Sequence, residues 1–211
     1  MRTLRTTGMT TILAVTLLTL ACGDMKSPTR PGDAALPSGQ SAQATGTDQP
    51  VLAAVRQATS AFHDVDRAIA AGYASPIGGH CDEIAIGAMG VHSQNPALMQ
   101  NQALIPEQPE VLLYLPIGGG NYRLVGVEYV QVLLLRNTLT GQVAPWFSHD
   151  PWPADYVVVN STPSLFGQAF QGPMAGHVPG MPWHYDLHVW TWNPTPAGMF
   201  AQWNPAISCG G

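Results

Sequence analysis

The chain has 211 residues, with thirteen acidic side chains against eight basic ones and a single lysine, Lys26. Nothing in that balance builds the basic patch or groove that tracks a phosphate backbone, which argues against nucleic acid as a partner. Residues 51–211 amount to one domain's worth of chain, long enough to bury a core of their own.

Arg2 and Arg5 precede an apolar run over residues 9–21 that ends in "LTLAC". A basic start, an apolar segment of this length and a small residue before the cut predict an export signal over 1–21. The run is shorter than the roughly 20 residues a membrane-spanning helix needs. Cys22 follows Ala21 and resembles the acylated cysteine of a bacterial lipoprotein, although Thr19 stands where such boxes usually carry leucine. The competing reading is an ordinary signal peptide cut nearby. Residues 22–50 are rich in Ser, Thr, Pro, Gly, Gln and Ala. They bury too little apolar surface to offset their ordering entropy and read as a flexible tether behind a lipid anchor. The expectation is an exported chain of the cell envelope, whose membrane contact is the lipid on Cys22.

With Cys22 acylated, Cys81 and Cys209 remain. In an oxidising compartment such a pair is most simply a disulfide, worth on the order of 4 kcal/mol for so long a loop. A metal-ligating or nucleophilic thiol is the alternative.

The domain begins with a helix signal. Asp48 and Pro50 suit a helix start, and Leu52, Val55, Ala58, Phe62, Val65 and Ile69 follow at three- and four-residue steps. This predicts an amphipathic helix that stops at Gly72, with Arg56, Ser60, His63 and Arg67 on its solvated face. The glycine-rich stretch up to Asn95-Pro96 reads as loop, short strand, loop. "EVLLYLP" and "YRLVGVEYVQVLLL" are the clearest strands, joined by the glycine-rich turn "IGGGN". That turn is not a phosphate loop, since no helix or Lys-Ser/Thr follows. Residues 142–182 read as mostly irregular, with one strand at "DYVVVN", and "HYDLHVWTW" is the last strand. The expected fold is α+β: the N-terminal helix packed on a curved antiparallel sheet with long ordered loops.

Glu128 is the most informative residue for function. Alternation places Leu124, Gly126, Glu128, Val130, Val132 and Leu134 on one strand face. A carboxylate on so apolar a face must be paired, protonated or bound to a metal. Pairing with Arg123 or Arg136, or with a loop, is the bland solution. The stretch "HYDLHVW" sets His184, Asp186 and His188 at alternate positions, and its composition and flanking prolines favour strand. On a straight strand His184 and His188 are about 13 Å apart and do not share one ion. His188 lies deeper in the strand and is the better ligand. His92, before the Asn95-Pro96 turn, is a second imidazole, with His184 and His177 as further candidates. Imidazoles with a carboxylate suit zinc, iron, copper or manganese. Two histidines and one carboxylate fit non-haem iron as well as zinc hydrolysis, and whether the metal does chemistry stays open. Most of the six tryptophans fill the core. Trp190 and Trp192 share the His188 face by alternation, and these two, with Tyr129, are expected to wall a pocket.

The motifs "MGVHSQNPAL", "PEVLLYLP…RLVGVEYV" and "GPMAGHVPGMPWHYDLHVWTWNPTPAGMFAQWNPAISC" resemble a family of exported bacterial proteins without an established function. The resemblance spans about residues 55–209 and implies one strand-rich unit, and it brings no activity with it. The sequence thus predicts an exported lipoprotein with a mononuclear His/Glu metal site. Its rivals are a metal-free envelope module binding a small molecule or sugar between tryptophans, and a purely structural envelope protein.

Overall fold

The computed structural model describes residues 49–177 and 180–210. The expected signal peptide, the acylation at Cys22 and nearly all of the tether lie outside the described residues. Among the described residues no helix is long and apolar enough to cross a membrane.

The chain opens with α1 (Gln49–Thr59), a 3-10 turn (Ser60–His63) and α2 (Val65–Ala70). One continuous helix was the expectation. It breaks at Asp64, whose backbone is extended and whose carboxylate accepts from the Asp66 N–H to start α2 afresh. A short acidic side chain that can bond its own backbone favours such a cap over a helix interior. The break turns Ile69 outward, while Leu52, Val55 and Ala68 are buried.

Strands follow in antiparallel order: β1 (Cys81–Ile84), β2 (Gly87–Gln94), then, after the helix α3 (Pro96–Asn101), β3 (Val111–Pro116) and β4 (Tyr122–Val132). Asn95 caps α3 through its side-chain oxygen, so the Asn-Pro turn signal opens a helix rather than a loop. The expected long strand stops at Val132, because Leu133 donates its N–H to Trp183 outside the sheet. The chain then enters a smaller sheet, β6-β5-β7, made of β5 (Leu134–Asn137), β6 (Val143–Pro145) and β7 (Tyr156–Val158). A small hairpin, β8 (Ser164–Leu165) with β9 (Gln168–Ala169), precedes β10 (Gln171–Met174) and β11 (His184–Val189). The main sheet has the order β1-β2-β3-β4-β11-β10 and curls into a half-barrel. The protein is thus mostly antiparallel sheet with few helices.

The central strands are near-continuous apolar runs because both of their faces are covered. On one face Leu112, Tyr114, Val127, Tyr129, Leu187 and Val189 pack with Leu52 and Val55 of α1. On the other, Val111, Leu113, Val130, Met181 and Trp190 form a second cluster. A bulge in β4 at Val125, opposite Leu113 and Tyr114, shifts the alternation by one residue. Leu124 therefore joins the first cluster and Val125 the second, against the expectation that Leu124 shares the face of Glu128. The Cys81–Cys209 disulfide is formed and ties the last residues to β1, across a sequence separation of 128.

Candidate metal centre

The register of β11 against β4 assembles the site. His188 pairs with Glu128, Asp186 with Val130 and His184 with Val132, so the three polar residues of β11 share the Glu128 face. All four side chains are buried. On β2, His92 pairs with Leu113 and is separated from β4 by the whole width of β3. Two strand spacings amount to about 9.5 Å in a flat sheet. The curl of the sheet and two long side chains close that gap, and His92 Nε2 reaches 3.4 Å from Glu128 Oε2. Gly126 clears the floor: a Cβ there would lie 2.9 Å from the Val189 carbonyl and 3.2 Å from the Trp190 ring.

The five ligand candidates fall into two groups. His92, Glu128 and His188 each offer a ligand atom within 4.8 Å of the other two, and His177, His184 and Asp186 do the same. Asp186 was not among the expected ligands, although its alternate position beside His184 and His188 was visible. Asp82 of β1 gave no signal at all. Its Oδ2 lies 3.1 Å from His92 Nδ1, and its Oδ1 lies 3.4 Å from His80 Nε2 at the rim. A carboxylate at Nδ1 orients the ring and leaves Nε2 for a metal. In the same way His184 Nδ1 lies 3.0 Å from the Pro182 carbonyl, to which it donates, leaving Nε2 with its lone pair free.

Burial pushes the Glu128, Asp186, His184 and His188 side chains toward their neutral forms. Burial, then the nearby Asp186, Glu110 and Asp82, raises the Glu128 carboxyl well above its usual range. Burial raises Asp186 to about 7. Burial, then the neighbouring histidines, holds His188 well below the usual imidazole range, and His184 falls to about 4 mainly through burial. Burial works against the Asp82 charge too, but contact with His92, with His80 and His177 behind it, keeps its carboxyl below the usual value. Both Glu128 oxygens, both Asp186 oxygens, both nitrogens of His188 and Nε2 of His184 are buried with no hydrogen-bond partner among the described residues. So many unsatisfied polar tips in one place are costly unless a cation or water engages them.

Around this cluster stand Val111, Leu113, Val130, Met181 and Trp190. The Trp190 indole stacks on His188 with ring centroids 6.2 Å apart and donates its N–H to the Ala201 carbonyl. A cleft of about 210 Å³ opens to solvent beside it, lined by His80, Asp82, His92, Gln94, His177 and Met181. His177 is exposed, on the loop after β10.

Two expected wall residues lie elsewhere. Tyr129 neighbours Glu128 in the strand and must point the other way; it packs against Phe166 and donates its hydroxyl to the Pro106 carbonyl. Trp192 lies beyond the end of β11 at Val189, where the alternation stops. Its indole meets His63 edge-on and donates to the Thr59 hydroxyl. Neither Arg123 nor Arg136 neutralises Glu128, whose ion-pair contact is His92.

Compared with protein-family models, with curated proteins and with solved structures, the chain gives no match.

Proposed function

We propose that this is a metal-binding α+β module of the bacterial cell envelope, its N-terminal helix laid on a curved antiparallel sheet. In this reading residues 1–21 direct export, and a lipid on Cys22 holds the domain to the membrane through the tether that precedes α1. A disulfide between Cys81 and Cys209 is compatible with an exported protein. The ion is a divalent transition metal, zinc, iron, copper or manganese, held by His92, Glu128 and His188.

One observation carries the reading: ligand atoms from three different strands converge within 4.8 Å, and they have no hydrogen-bond partner among the described residues. Ligands at about 2.0–2.2 Å from one tetrahedral zinc ion stand roughly 3.3 Å apart, and the His92–Glu128 separation of 3.4 Å supports that fit. Two imidazoles and one carboxylate leave coordination positions for water or a small ligand, which the cleft beside His92 would admit. A sugar site between tryptophans has less support, since Trp190 is buried with His188 on its face.

The test is elemental analysis of the full chain, extracted from membranes without a polyhistidine tag or chelator. Near-stoichiometric metal is expected, lost in Glu128→Gln and in His188→Ala. A chain that takes up no metal after incubation with zinc, copper, iron and manganese would overturn the reading in favour of a structural role.

A further inference from the structure

The structure assigns a second metal site to His177, His184 and Asp186, beside the one on His92, Glu128 and His188, so that we infer a two-ion centre. As a pair of ions the inference rests on the function proposed above; as a site it stands on separate residues. Their ligand atoms lie within 4.8 Å of one another. His184 is fully buried, its Nδ1 committed to the Pro182 carbonyl, and its Nε2 has no partner among the described residues. That is the tautomer a metal requires, fixed by the backbone before any ion arrives. Asp186 is fully buried, and neither of its oxygens has a hydrogen-bond partner among the described residues. Its Oδ2 stands 4.0 Å from His188 Nδ1, so this carboxylate lies between the two groups, where a bridging ligand belongs. His177 closes the second group from the cleft side, its ring 5.2 Å from His184 and 5.9 Å from His92.

Charge is consistent with two ions. Once cations displace the protons of Glu128 and Asp186, these two and Asp82 bring three negative charges to one cleft, against which a single divalent ion leaves an excess of negative charge and two divalent ions leave a small positive one. Paired ions about 3.5–4 Å apart are the arrangement that clamps a bridging oxygen of water or of a small oxyanion.

The experiment is metal stoichiometry on the full chain, stripped with chelator and titrated with zinc or copper. Two equivalents are expected for the unaltered protein, falling to one in Asp186→Asn and in His177→Ala. The second variant sits on an exposed loop residue and spares the core. The copper-loaded unaltered protein should show spin coupling between two ions once the second equivalent is added. One equivalent that is lost in Glu128→Gln and kept in His177→Ala and Asp186→Asn would overturn the second site and leave the first standing. One equivalent with the reverse pattern would overturn the two-ion centre and the His92/Glu128/His188 reading together, leaving His177, His184 and Asp186 as the site. No bound metal overturns both.

Discussion

The two faces of β4 share one backbone and carry opposite chemistry. On the α1 side, polar tips that enter the core find partners in the protein: Tyr73, Tyr114 and Tyr129 donate their hydroxyls to the carbonyls of Pro109, Phe62 and Pro106. On the other side, Glu128 and the three polar residues of β11 are just as buried and largely unpartnered among the described residues. Burial and internal hydrogen bonds satisfy the first face except at Glu110 Oε1. The second face keeps polar tips that the described residues leave unsatisfied. This difference separates stability from function in a small domain, because the same strand can be damaged on one side without the other.

The strongest test removes apolar volume from the α1 side. Leu112 is fully buried in that cluster, and Leu112→Ala should cost about 2–5 kcal/mol through lost burial and the cavity left behind. Urea unfolding reads that cost, while metal per folded chain should be unchanged. Metal loss in the folded variant would show that the faces are not independent.

Glu110 sharpens the comparison, because it is a buried carboxylate near Tyr73 and Tyr129, on the α1 side. Unlike Glu128, it accepts a backbone hydrogen bond, from Val130 at 3.1 Å. Burial still pushes its carboxyl from near 4.5 up to about 7. A raised carboxyl stabilises the fold fully below its unfolded value, and that contribution is lost as pH rises through the folded one. In chelated protein, Glu110→Gln and the unaltered chain should therefore unfold alike at pH 4. Between pH 4.5 and 7 the unaltered chain should fall behind by roughly 3 kcal/mol. Equal stability at pH 8 would mean that the carboxylate ionises without penalty.

Legibility in the sequence follows the range of the interaction. Glu128 stood out because alternation over a few residues makes a charged side chain on an apolar face conspicuous. His188 and Asp186 were visible in the same way, and the same rule applied to Tyr129 would have turned it away from the site. Cys81 and Cys209 paired by elimination. The bulge at Val125 and the helix break at Asp64 depend on backbone choices that a hydrophobic period does not encode. The convergence itself was hidden. It needs the last strand beside β4 and a sheet curled enough for His92 to reach across β3, and neither has a local signature.

Asp82 is the clearest case of that hidden convergence, and it gives the smallest and most specific effect. It sits on β1 at the sheet's edge, touches His92 at Nδ1, and is no member of either ligand group. Asp82→Asn keeps the shape and can still contact Nδ1, but it removes the charge that holds the proton there and presents Nε2 to the metal. Loss of such an orienting carboxylate typically costs 10–100-fold in metal affinity, or about 1.4–2.7 kcal/mol. Competition against a chelator of known affinity reads this as a shift in dissociation constant at unchanged stoichiometry. Unfolding of the chelated protein should barely move, since Asp82 contributes to the ring's direction rather than to the core. An unaltered affinity would mean that the backbone alone orients His92, and a lost equivalent would make Asp82 a ligand in its own right.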